Sequence, residues 1–153
     1  MIIKSDGNNG TGSVIAGSVT GSGTAEIDRY MTENQWHYIG SPVEQPISTF
    51  LSNNPDIPTK NVDSRGMMDY NTEFDNWNDF FTNSNGNDLG IGSGYSIRTT
   101  SNTYISFNGS VTVGTINVTL DATGNGWNLV GNHYTCLLYT SNAAAEQSSE
   151  DIG

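Results

Sequence analysis

The sequence predicts an all-β protein, an antiparallel β-sandwich or jelly-roll-like fold with one short helix near residues 46–52. Three observations carry that prediction. Asn, Gly, Ser and Thr make up 71 of the 153 residues, a mixture that favours turns and exposed strand faces. Val and Ile number 20 against 12 for Ala and Leu, and β-branched side chains fit a pleated surface better than a helix. Short runs of alternating apolar and polar residues recur at a spacing of roughly 8–12 residues, with Gly- and Asn-rich turns between them.

Taken in order, Met1–Lys4 reads as the end of a strand, and the Gly/Asn cluster from Asp6 to Gly12 as a turn. Ser13–Thr20 and Thr24–Met31 are strand candidates; in the second, Ala25, Ile27 and Met31 alternate with Glu26, Asp28 and Tyr30, the pattern of a half-buried strand. Gln35–Ile39 is a further strand with Trp36 and Tyr38 on one face and His37 and Ile39 on the other. Ile47, Phe50 and Leu51 fall at i, i+3 and i+4 before Asn53-Asn54-Pro55, which predicts a short helix. Arg65–Tyr70 and Trp77–Thr82 form the arms of a hairpin turning through Asn71–Asn76. Strands over Tyr95–Thr99, Thr103–Asn108, Ser110–Leu120 and Trp127–Tyr134 complete the β pattern, with Asn108-Gly109 read as a hairpin turn.

The β cadence stops at about Thr135. Residues 1–135 are therefore expected to form one β-rich domain, incomplete at both ends. Residues 136–153 are expected to be a non-native or disordered tail: Cys136-Leu-Leu-Tyr-Thr-Ser141 resembles the translation of a sequencing adaptor, and Ala143–Ala145 favours helix without an apolar stripe.

The formal net charge is −11, with only five basic residues, Lys4, Arg29, Lys60, Arg65 and Arg98. That distribution argues against a nucleic-acid surface, which needs clustered Lys and Arg to replace phosphate counterions. No segment approaches the ~18 apolar residues that a membrane-spanning helix needs. The single cysteine, Cys136, leaves residues 1–135 without a thiol, a disulfide or a cysteine-based metal site.

The candidate chemistry is sparse. His37 and His133 are the two imidazoles, and no Gly-x-Ser-x-Gly element accompanies them. His37, between two aromatics on a strand, reads as a packed residue. Asp69, Asp75 and Asp79 crowd the predicted hairpin beside Glu73 and could offer oxygen ligands to Ca²⁺, the one cofactor the residues suggest; a solvated acidic turn is the better reading, since side chains on a hairpin alternate faces and scatter these groups. A glycosidase pair drawn from the same carboxylates would need a cleft, which the sequence does not show. Trp77, Tyr70 and Tyr95 are the binding candidates. A flat exposed ring can stack on the apolar face of a sugar, although aromatics are also the largest contributors to a β core. Trp36 and Trp127, inside apolar runs, are expected in the core.

Three segments together resemble one family. They are Ile3-Lys-Ser-Asp6 with Gly10-Thr-Gly-Ser13; Arg29-Tyr30 followed by Trp36-His-Tyr-Ile-Gly-Ser-Pro42; and Gly126-Trp-Asn-Leu-Val-Gly-Asn132. In this order they resemble a β-rich module of secreted Bacteroidota surface proteins that carry a type IX sorting domain. His133 departs from the pattern, which has proline there. The resemblance implies an extracellular or outer-membrane-surface location and polysaccharide or other surface proteins as partners, and it carries no catalytic residues. The expectation is a non-catalytic extracellular module with a structural, adhesive or glycan-binding role. The alternatives are an accessory or catalytic fragment of a carbohydrate-active enzyme, or a Ca²⁺-stabilised surface domain.

Overall fold

A computed structural model of the chain describes residues 2–6, 10–11, 23–62, 64–78, 81–82 and 86–133. The predicted strand 13–20 and the predicted tail 136–153 lie outside the described residues. Nine strands and one short helix are described: β1 Ile2–Asp6, β2 Gly10–Thr11, β3 Ala25–Met31, β4 Trp36–Gly40, α1 Ile47–Asn53, β5 Met67–Met68, β6 Tyr70–Asn71, β7 Asn76–Trp77, β8 Gly94–Arg98 and β9 Thr103–Gly109. The fold is all-β with one short helix. One sheet has the order β2-β1-β3-β9, a second β4-β8-β5, and β6-β7 form a small hairpin. The ladders are antiparallel apart from β1 beside β3.

The period-two reading of β3 holds. Ala25, Ile27 and Met31 are buried and face the same way as Ile105 and Phe107, their neighbours across the β3–β9 ladder. The opposite face carries cross-strand pairs: Ser106 Oγ donates to Asp28 at 2.6 Å, and Tyr30 meets Tyr104 edge-on at 5.5 Å. From the second sheet, Ile39, Met67, Tyr95 and Ile97 join the same core. The helix adds Ile47, Phe50 and Leu51, with Phe50 against Phe107 at 5.1 Å between ring centroids. Two sheets and a helix thus share one interior, because each element has only one apolar face to bury.

The second edge of β9 is closed by side chains. The Asn54 amide, just past α1, behaves like a strand residue. Its Oδ1 accepts from Ser106 N–H at 2.8 Å, and its Nδ2 donates to the Ser106 carbonyl at 3.1 Å and to the Phe50 carbonyl at 2.8 Å. Gln45 Oε1 accepts from Asn108 N–H. The Asp56 carboxylate takes the Ser101 and Thr103 hydroxyls at 2.9 and 3.0 Å. Arg65 reaches in from the other side, donating to the Ile57 and Asn54 carbonyls. Closing an edge in this way satisfies backbone groups that would otherwise invite intermolecular pairing.

Several expected elements differ. Asn108-Gly109 makes no hairpin turn: both residues continue β9, opposite Glu26 and Ala25. Ser110–Leu120 is not a strand. Val111 bridges to Val43, and Gly114 then turns the chain with φ 88°, a conformation that suits a residue without Cβ. Of the predicted strand Trp127–Tyr134, the described residues 127–133 contribute one antiparallel bridge, Ser93 with Val130, supported by Gly94 N–H to the Leu129 carbonyl and Gly131 N–H to the Gly92 carbonyl. The 65–82 hairpin forms, but with short ladders. Tyr70 opposes Trp77 while Ser64 opposes Thr82, so the first arm carries one extra residue, the signature of a bulge.

Candidate functional site

The site lies on the face of the β4-β8-β5 sheet turned away from the core. Along β4 the inward residue Ile39 is buried, and the same alternation pushes Trp36 and Tyr38 outward, 42% and 64% exposed. Opposite them on the central strand β8 stand Arg98 and Ser96, with Gly94 beyond. Small residues on the middle strand beside large rings on its neighbour leave a trough.

Two other elements wall that trough. The β6-β7 hairpin places Tyr70 directly opposite Trp77, edge to face at 5.5 Å between centroids. Trp77 in turn lies nearly parallel to Tyr38, with centroids 5.9 Å apart and planes 8° apart. The second wall is the loop 121–128. The Asn128 side chain closes it by accepting from Asp121 N–H at 2.9 Å and donating to the Asp121 and Gly126 carbonyls at 2.8 and 3.0 Å. The Asp121 carboxylate accepts from Thr123 N–H at 2.8 Å, and this bond holds its pKa below the ordinary carboxylate value. Trp127 stands on this braced loop, 73% exposed.

The loop is fastened to the hairpin tip. Thr72 Oγ1 donates to the Trp127 carbonyl at 2.7 Å. The Asp75 carboxylate accepts from the Tyr70 hydroxyl and the Asn125 amide, and the bond to Asp75 raises the Tyr70 pKa above that of an ordinary phenol. The base of the loop crosses the sheet backbone to backbone. A Cβ at Gly131 would overlap the Ser93 carbonyl and sit 2.6 Å from Gly40 Cα, and one at Gly40 would sit 2.7 Å from Asn132 N. Only glycines permit this approach.

The resulting concavity, about 260 Å³, is lined by Tyr38, Tyr70, Trp77, Trp127, Asn128 and Leu129. It offers aromatic faces, a phenol and an amide. Its size is below the roughly 300–1,000 Å³ of pockets that engulf a ligand, so it suits one ring of a longer molecule lying across the surface.

Trp77 and Tyr70 are thus brought together as the sequence reading had them. Tyr95 is not with them. It pairs with Ile39 and points inward, 5% exposed, its hydroxyl accepting from Gly90 N–H at 2.8 Å; burial pushes its pKa up. Trp36 and Trp127, expected in the core, are surface residues. Ile39 claims the inward side of β4 in one case, and loop 121–128 leaves the sheet in the other. Tyr38 and Asn128 were missed as site residues.

The acidic candidates have separate partners. Asp69 Oδ1 accepts from Asn78 Nδ2 at 2.7 Å, whereas Asp75 is engaged at the hairpin tip. Asp79 lies outside the described residues. Among the described residues no group of three or more His, Cys, Asp or Glu side chains is placed to hold a metal ion. His37 Nε2 sits 3.0 Å from Thr32 Oγ1, held within its own strand–turn unit. No described helix is long and apolar enough to cross a membrane.

Comparison with protein-family models, with curated proteins and with solved structures returns no match to this chain.

Proposed function

We propose that this chain is a non-catalytic β-rich module of a secreted or cell-surface bacterial protein, and that it holds glycans on the Tyr38–Trp77–Trp127 platform. One observation carries the reading: aromatic side chains from three separate elements converge on the outer face of a sheet whose core lies on the other side. Isolated exposed aromatics are ordinary. Aromatic rings fixed by a closed loop, a hairpin and a strand, with an amide and a phenol at the rim, form a preorganised stacking surface. Among the described residues the lining contains no carboxylate, which favours binding over hydrolysis by a carboxylate pair. The resemblance to secreted surface modules is in keeping with a polysaccharide partner and an extracellular setting.

The test is binding of the full chain to an array of plant, algal and bacterial glycans, followed by calorimetry on the hits. Trp77→Ala is expected to weaken binding about tenfold or more, equivalent to ~1.4 kcal/mol, while the far-ultraviolet spectrum stays unchanged. Binding that survives the combined removal of Trp77 and Tyr38, or no binding to any glycan, overturns the proposal.

A further inference from the structure

The same sheet face carries a second concavity, about 300 Å³, lined by Trp36, Pro58, Thr59, Lys60, Gly66 and Arg98. Trp36 precedes Tyr38 by two residues on β4, about 7 Å along the strand at ~3.4 Å per residue, and each ring lines its own depression. Their chemistry differs. The first is neutral. The second gathers two of the five basic residues of a chain with 16 acidic ones. Arg98 Nη2 donates to Asn34 Oδ1 at 3.1 Å, and its Nε is buried without a hydrogen-bond partner. The Arg98 guanidinium has no carboxylate counterpart among the described residues, and it stands opposite Trp36 across the β4–β8 ladder. Among the described residues no carboxylate lines the depression.

We infer that this depression is an acidic-sugar subsite: a ring bearing a single anionic group stacks on Trp36 and places that group against Arg98 and Lys60, while the neighbouring neutral ring occupies the Tyr38–Trp77–Trp127 platform. The inference rests on the glycan-binding reading and narrows it. A cation in an aromatic depression recognises an anion through charge-assisted hydrogen bonds, the stronger kind. The net charge of −11 sets the complementary limit. A densely charged polyanion is repelled by the surrounding surface, whereas a lone anionic sugar in a neutral chain meets mainly its local partners, because exposed charges are screened beyond about 8 Å at physiological salt. The ligand class is therefore a mostly neutral glycan with an occasional or terminal acidic unit.

The three tryptophans supply the readout. Each indole N–H gives one peak in a proton–nitrogen correlation spectrum of the full chain, assigned by single Trp→Phe variants. Methyl glucuronoside is titrated against methyl glucoside, with a sulfated methyl glucoside as a third arm to separate carboxylate from sulfate as the anion. The Trp36 peak is expected to move at a concentration about five- to tenfold lower with the glucuronoside than with the glucoside, as suits one charge-assisted contact. Arg98→Gln is expected to abolish that difference and leave the Trp77 and Trp127 responses to methyl glucoside intact. Lys60→Gln, at an exposed loop position, is expected to reduce it. Equal responses to the two glycosides, or an Arg98→Gln variant that still discriminates, overturn the acidic subsite alone. Trp77 and Trp127 peaks that no glycoside moves overturn the platform reading, and the subsite with it.

Discussion

Asn54→Ala tests whether β9 is completed by a side chain in place of a strand. The substitution removes three hydrogen bonds, at 2.8, 3.1 and 2.8 Å, at a residue only 3% exposed. It leaves the Ser106 N–H and carbonyl facing a methyl group. An orphaned buried donor or acceptor costs about 1–3 kcal/mol, so two of them give about 3 kcal/mol if one is partly rescued by water. At roughly 2–4 °C per kcal/mol for a domain of this size, the melting midpoint should fall by about 10 °C. Urea unfolding followed by tryptophan fluorescence reads the same quantity as a lower midpoint at unchanged slope. Asn54→Asp sharpens the test. It keeps the acceptor for Ser106 N–H but turns an anionic oxygen toward the Phe50 and Ser106 carbonyls, which raises the new carboxyl's folded pKa. That variant should be the less stable of the two at neutral pH and should recover as the pH falls through that raised pKa, when protonation restores a donor. A loss for Asn54→Ala within about 0.5 kcal/mol, the range of an ordinary surface change, would refute the reasoning.

Other outcomes follow from the site. Gly131→Ala should destabilise by about 1–3 kcal/mol through overpacking and weaken glycan binding without touching a platform residue. Gly86→Ala, where a Cβ meets nothing within 4 Å, should do neither. Asp75→Asn should return the Tyr70 phenol toward its ordinary pKa, seen as phenolate absorbance appearing at lower pH than in the parent chain. The backbone should tolerate the change, because Asp75 sits at φ 53°, where Asn is at least as comfortable as Asp. Thermal melting in EDTA should leave the midpoint in place, since Asp69 and Asp75 are already engaged by protein donors; a lowered midpoint would assign a stabilising cation.

How much was legible in the sequence varied by element. The strand Thr24–Met31 was readable because its alternation is complete and one face alone is apolar. The helix was readable because Ile47, Phe50 and Leu51 form a stripe bounded by Pro46 and Asn54. Asn108-Gly109 misled, since a permissive dipeptide turns only if no neighbour extends the ladder, and β3 extends it here. Ser110–Leu120 misled for the converse reason: alternation marks a competent strand, yet beyond the Val111–Val43 bridge no described strand lies alongside it. For the site, Trp77 and Tyr70 were visible as rings flanking a polar turn. Tyr95 was misplaced by parity, since one step along β8 separates the core face from the trough. The exposure of Trp127 has a sequence signal: Gly124-Asn125-Gly126 before it marks a loop tip, where a large ring is presented outward more readily than it is buried.

The sequence by itself determined the class of fold and the arms of the hairpin, because composition and period-two alternation are local properties. Tertiary structure alone decided which face of β4 meets the core, that Asn54 and Gln45 finish the β9 edge, and that Tyr38, Trp77 and Trp127 line one concavity. These depend on which strands become neighbours. Pairing between residues distant along the chain is set by the combined burial of every apolar face in one shared core, which no single segment encodes.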